Sequence, residues 1–186
     1  MKIVVFIVLL IIFLTCGNST MSQFRGHYVH RSHTQADKVT YANMLKTLRE
    51  QTHALITHLR TTHPDDPRTD KLNRWLRESK PLHELEHRES HKAFGYNIDK
   101  GKYIAVCLHD KNNVPNTLNE TFFVLLHELA HIATKDFAHD DFFWNTFRWL
   151  IRTASDAGLY NNVNYNKYPV KYCNHKLNQN PTFFSV

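Results

Sequence analysis

Between residues 117 and 131 the chain reads Thr117-Leu118-Asn119-Glu120-Thr121-Phe122-Phe123-Val124-Leu125-Leu126-His127-Glu128-Leu129-Ala130-His131, a mostly apolar run that ends on two histidines four residues apart. Thr117 and Glu120 have the Thr-x-x-Glu spacing of a capping box, in which each side chain satisfies a backbone N–H of the first turn. A helix therefore starts here. From Phe122 to Ile132 it is apolar on nearly every side, the pattern of a helix buried at the centre of a domain. Four residues are a little more than one helical turn, so both imidazoles project from the same face.

Two imidazoles so placed can grip one metal ion. Zinc takes imidazole nitrogens at about 2.0–2.1 Å, and a catalytic zinc keeps one coordination position for water, whose pKa it lowers to about 7. Glu128, next to the first ligand, then needs only modest basicity to take the water's proton, leaving a hydroxide to attack a polarised peptide carbonyl. A third protein ligand has to come from elsewhere. His139 lies beyond the short connection 132–138 and immediately before the next helical pattern, and it is the choice. Asp136, Asp140 and Asp141 are rivals, but aspartates at a helix start more often cap its N–H groups or face its dipole, and that reading is preferred for Asp140 and Asp141. His109 and His175 are weaker candidates, read as surface or supporting groups. For stabilising a developing oxyanion, Tyr165, Tyr168, Tyr172 and His175 are chemically suitable, and spacing selects none of them.

The pattern alone does not choose this helix, because His83-Glu84-Leu85-Glu86-His87 repeats the HExxH string. That copy follows Pro81, is flanked by Arg88, Glu89 and Lys92, and has no apolar run to bury it, so it is expected to be a surface segment. The copy at 127–131 has the rigid, dry support a preorganised metal site needs.

Working outward, Tyr41, Leu45, Leu48, Leu55, Ile56 and Leu59 recur at helical steps, predicting a helix over 37–60. His63-Pro64-Asp65-Asp66-Pro67 ends it, and a shorter helix is expected over 68–78. Across 93–109 the period changes to two around the turn Asp99-Lys100-Gly101, which predicts a β-hairpin. After the helix at 117–134, a last one over 140–157 carries Phe143, Phe147, Leu150, Ile151 and Ala154 on one stripe, with Gly158 placed to end it in a left-handed cap. The fold class is α+β, with one domain over 37–186. Residues 20–36, polar and His-rich, read as a tether.

Residues 1–19 stand apart. Lys2 precedes an apolar run, Ile3 to Leu14, which as a helix reaches roughly 18 Å, short of the ~30 Å hydrocarbon core. Such a segment is a signal peptide or a membrane anchor. The expected location is membrane-anchored or secreted, with membrane contact through residues 3–16 where the segment is retained. Sequons at Asn18 and Asn119 accord with that only weakly. In an oxidising compartment Cys107 and Cys173 could pair, and in a reducing one they would be small buried hydrophobes; Cys16 lies in the N-terminal segment. Composition in the ordinary globular range makes a folded core, not disorder, the default expectation. The net charge of +6 and pI near 9.2 suit acidic partners, but the excess is scattered, so nucleic acid is the less favoured partner.

The block 117–131, followed by His139-Asp140-Asp141-Phe142-Phe143-Trp144, resembles the WLM and SprT-like zincins, and most of all the WLM-like metallopeptidases of large DNA viruses of eukaryotes. The likeness extends upstream through the hairpin to Asp110 and downstream to Pro169-Val170-Lys171-Tyr172-Cys173, covering about 90–175. It implies a minimal zincin fold, zinc ligands at His127, His131 and His139, and a general base at Glu128. One departure is visible: a glycine usually precedes the third histidine, and Ala138 stands there. The resemblance implies a zinc-dependent peptidase acting on proteins or peptides. The alternatives are a non-enzymatic, membrane-tethered interaction protein on the same scaffold and a protease acting on DNA-linked proteins, a role the family's cellular members have and a hydrophobic N-terminus does not suit.

Overall fold

The computed structural model describes residues 21–24, 27–78, 80–86, 93–99, 101–134 and 139–184. In chain order these form strands β1 (Met21–Phe24) and β2 (His27–His30), helices α1 (Gln35–Thr62) and α2 (Pro67–Arg77), strands β3 (Leu82–Glu84), β4 (Gly95–Ile98) and β5 (Tyr103–Val106), helices α3 (Leu118–Thr134) and α4 (Asp141–Asp156), strands β6 (Val170–Tyr172) and β7 (His175–Leu177), and a 3-10 turn at Pro181–Phe183. The architecture is α+β. A five-stranded mixed sheet runs in the order β1-β2-β3-β5-β4, and β6 and β7 make a separate hairpin. Residues 1–20, with the expected signal or anchor and Asn18, lie outside the described residues; among those described, no helix is long and apolar enough to cross a membrane.

Local chemistry sets the helix ends. Thr34 caps α1 by accepting from Asp37 N–H, and Asp66 caps α2, with Pro67 in the first helical position where a missing N–H costs nothing. The expected capping box of α3 is present: Glu120 N–H donates to Thr117 Oγ1 at 3.2 Å and Thr117 N–H to Glu120 Oε2 at 3.4 Å. Gly158, at φ 69°, closes α4 with Gly158 N–H on Ser155 O and Leu159 N–H on Ala154 O, the paired bonds of a Schellman cap.

Helices α1 and α3 cover one face of the sheet. Leu82, Ile104 and Val106 point into that layer against Leu45, Leu48, Leu125 and Leu129, all within 1 % of full burial; each such side chain contributes about 1.5–3 kcal/mol on leaving water. The opposite face carries a ladder of rings across four strands: Tyr28 on His83 at 4.5 Å, His83 on Tyr103 at 3.9 Å and Tyr103 on Tyr96 at 5.6 Å between centroids.

Two expectations are corrected here. The described part of the segment read as a tether, 20–36, contains β1 and β2 and the start of α1, because His27 and Val29 alternate inward while Tyr28 joins the ring ladder. The segment 83–87 is not surface up to Glu86, where its description ends: β3 is the middle strand of the sheet, pairing in parallel with β2 and β5. Leu82 and Leu85 are buried, and Glu84 is 1 % exposed. Its charge is compensated by groups far away in sequence, His33 and His109, which no local pattern reveals.

Candidate metal centre

Helix α3 carries His127, Glu128 and His131 past the edge strand β4. Asn97 of β4 fixes the depth of that approach: its side-chain amide donates to Glu128 O at 3.1 Å while its Oδ1 accepts from Gly101 N–H at 3.0 Å. Gly95 makes the approach sterically feasible. A Cβ there would stand 2.8 Å from Ala105 O, 3.1 Å from Val124 Cγ1 and 3.6 Å from Glu128 Oε1. Gly95→Ala is therefore expected to cost about 1–3 kcal/mol by forcing strand and helix apart, visible as a lower denaturant midpoint with an unchanged slope.

The structure brings His127, His131 and His139 together, with one nitrogen of each within 4.8 Å of the others. Their ring centroids are 4.8–5.0 Å apart, and His127 Nε2 faces His139 Nε2 at 3.1 Å. Ligand nitrogens about 2.05 Å from a tetrahedral zinc stand about 3.3 Å from one another, close to the 3.1 Å between His127 and His139. Aromatic rings from α4 hold the imidazoles: Phe143 packs on all three, at 4.4–4.9 Å, and Phe147 on His127 at 5.2 Å.

Of the rival ligands, Asp140 is the N-cap of α4, accepting from Phe143 N–H at 2.8 Å, and Asp141 is exposed in the first turn. Asp136 and Ala138 lie outside the described residues. His109 faces Glu84 and His33 instead, and His175 packs on Phe94 at 4.9 Å. None of the suggested tyrosines lines the cavity beside the histidines. Tyr172 donates its hydroxyl to Cys107 O at 2.7 Å, Tyr165 is 1 % exposed, and Tyr168 is largely in solvent.

That cavity has a volume of about 360 Å³ and is lined by His127, Glu128 and His139, the backbone and side chains of 93–95, aromatic residues of α3 and α4, and Lys176 to Gln179. The last group, a wall built by the β6–β7 hairpin and the residues after it, was not singled out in sequence, since a lysine and two amides in an Asn-rich tail carry no spacing signal. Cys107, just after β5, is bonded to Cys173 in the hairpin turn, pinning this wall to the sheet.

Burial pushes the Glu128 carboxyl up to about 8, and burial together with His131 and His139 holds His127 down at about 3. The imidazole is thus neutral and ready to coordinate near pH 7. A divalent cation beside Glu128 would favour its charged form, opposing the effect of burial.

The helix-borne His-Glu pair, the third histidine and the adjoining sheet edge define a metallopeptidase-like domain. The chain belongs to the WLM domain family, whose model matches residues 74–168, just over half its length. It is 36% identical over 83 residues to an uncharacterized protein of Acanthamoeba polyphaga mimivirus, covering 44% of this chain and 42% of that one. It is 34% identical over 80 residues to an uncharacterized protein of Invertebrate iridescent virus 6, covering 41% and 43%. The chain thus spans less than half the length of either viral relative. No solved structure matches.

Proposed function

We propose that this chain is a zinc-dependent peptidase in which His127, His131 and His139 hold the ion and Glu128 is the general base. The observation that carries the proposal is the convergence of three imidazoles on one point at the wall of a cavity into which a buried carboxyl also opens. Zinc bound there supplies a Lewis acid that acidifies water and polarises a carbonyl.

The chain's own residues do the rest. Glu128, 5 % exposed, takes a proton from the attacking water and returns it to the departing amine, and its burial keeps bulk water from competing for that proton. Strand β4 is an edge strand of the sheet among the described residues and borders the cavity through Gly95. An extended peptide would pair with it by strand addition, which places a scissile bond across the imidazoles. Lys176 and Asn178 on the opposite wall offer donors to the peptide backbone or to a developing oxyanion.

Against the non-enzymatic reading stands the ligand count. Structural zinc sites are usually closed four-ligand cages, and among the described residues this group comprises three, with Asp140 committed to its helix cap. The bonded Cys107 and Cys173 suit an oxidising compartment, in line with a secreted or membrane-anchored domain rather than one acting on DNA-linked proteins.

The test is cleavage of casein by the purified full chain. Activity should vanish on chelation, return when zinc is added back, and be absent from His131→Ala. Zinc bound without cleavage of varied substrates would transfer the reading to the interaction protein, and cleavage that depends on added DNA would transfer it to the DNA-linked role.

A further inference from the structure

Away from the His127 cluster, three side chains from distant parts of the chain meet on the helix-facing side of the sheet. Glu84 of β3 is buried, and its Oε2 is satisfied by His30 N–H at 2.7 Å. Its other oxygen, Oε1, faces His33 Nε2 at 2.6 Å and His109 Nε2 at 3.0 Å. His33 sits between β2 and α1, and His109 follows β5. Tyr41 packs against both rings, at 4.7 and 5.0 Å, and donates its hydroxyl to Asn113 O.

The tautomer of His109 is fixed by its other nitrogen. Nδ1 lies 2.7 Å from Asp110 O, a carbonyl that can only accept, so Nδ1 carries a hydrogen. In the neutral ring, Nε2 then presents a lone pair to Glu84 Oε1, another lone pair. Two buried acceptors at 3.0 Å require a cation between or beside them. A ring N–H donated to a backbone carbonyl, with the opposite nitrogen aimed inward, is how metal-ligating histidines are usually oriented.

We propose that His33, Glu84 and His109 form a second binding site for a divalent transition ion of the zinc class, independent of the one on α3. Two imidazoles and one carboxylate oxygen are a donor set that such ions accept. A cavity of about 280 Å³, lined by His30, Ser32, His33, Glu84, His109 and Asn113, adjoins the three groups and leaves room for water as a fourth ligand. Binding requires the Glu84–imidazole contacts, now 2.6 and 3.0 Å, to open to about 3.3 Å, shifts of about 0.7 and 0.3 Å that side-chain torsions absorb. The bound ion ties the start of α1 to the central strand β3 and to the segment leading into α3. The glutamate of the upstream HExxH string is thereby used as a ligand, without that string forming a helix.

The test uses the full chain and Zn2+ alone, comparing wild type with a His127→Ala/His131→Ala background from which the α3 site has been removed. Wild type should retain two equivalents of zinc after equilibration with buffered metal and desalting, and the background variant one. Adding His109→Gln, or in a separate chain Glu84→Gln, should remove the remaining equivalent. Because a variant at Glu84 can fail to fold, melting is read in parallel. At a hundredfold excess over Kd, zinc should raise the Tm of the background variant by about 5–10 °C and leave that of the His109→Gln version unmoved.

A background variant that binds no zinc and shows no Tm shift would overturn the second site and leave a proton as the cation of the triad. One equivalent in both wild type and background would uphold this site and count against the α3 site instead, so the two readings fail separately.

Discussion

Glu128→Gln is expected to retain its full complement of zinc while kcat falls roughly 100- to 10,000-fold, the range associated with loss of a positioned general base. The amide has the size and shape of the carboxyl, so ligand geometry should survive. What disappears is the only carboxyl that opens into the cavity among the described residues. The same substitution has a second consequence in chelator-stripped protein. Burial raises the Glu128 pKa from 4.5 to about 8, so the folded state holds a proton that the unfolded state releases. Through Glu128 the folded state binds more protons than the unfolded one between pH 4.5 and 8, so this group's contribution to stability falls as pH rises through that window, while below pH 6.5 the depressed His127 pKa acts in the opposite sense. At 1.36 kcal/mol per pKa unit the loss is about 5 kcal/mol, an upper figure because water in the cavity relieves part of it. Glu128→Gln, neutral throughout, should flatten the slope of melting temperature against pH between 6.5 and 8, where His127 is largely neutral in both states. Zinc lost together with activity would show that Glu128 supports the ligands and is not the base; an unaltered pH slope would show that its carboxyl is hydrated in the metal-free protein.

The contrast between what was readable and what was not follows from how far each signal reaches along the chain. Thr117, Glu120, His127 and His131 act within a few residues of one another, and the capping box, the apolar helix and its paired imidazoles stand where the sequence puts them. The helix at 35–62 and the hairpin around Gly101 were legible for the same reason. His139 was reachable by a short connection and by resemblance, and the geometry places it with the other two. Strand β3 failed every local test. Its buried charge is balanced by residues 51 positions before and 25 after it, and its pairing is non-local on both edges, where strand preference depends on neighbours more than on the residue itself. The strands at 21–30 were missed because alternation of His, Tyr and Val looks polar until Tyr28 meets the ring of His83. The cavity wall at 176–179 was invisible because a covalent link between residues 66 positions apart, not a motif, brings it to the site.

That link gives the other large expected effect. Cross-linking residues 66 apart removes loop-closure freedom from the unfolded chain, worth about 4 kcal/mol on the chain-entropy account. For a domain of this size each kcal/mol moves Tm by roughly 2–4 °C, so Cys107→Ser/Cys173→Ser, or reduction of the wild type, should lower Tm by about 8–16 °C. The loss should not be confined to stability. Phe94, at the cavity mouth, packs on Tyr172 and His175 at 6.1 and 4.9 Å, and the hairpin carries Lys176 and Leu177 into the lining. The imidazoles and Glu128 belong to α3 and the residues leading into α4, which the disulfide does not tether. Loosening the hairpin should therefore raise KM severalfold while kcat changes little, the pattern of lost uniform binding. Equal losses in kcat and kcat/KM would place the hairpin in the chemical step instead, through Lys176 or Asn178. A Tm indifferent to reductant would mean that packing of Tyr172 and Phe94 alone holds the wall, and that the bond between Cys107 and Cys173 adds nothing to it.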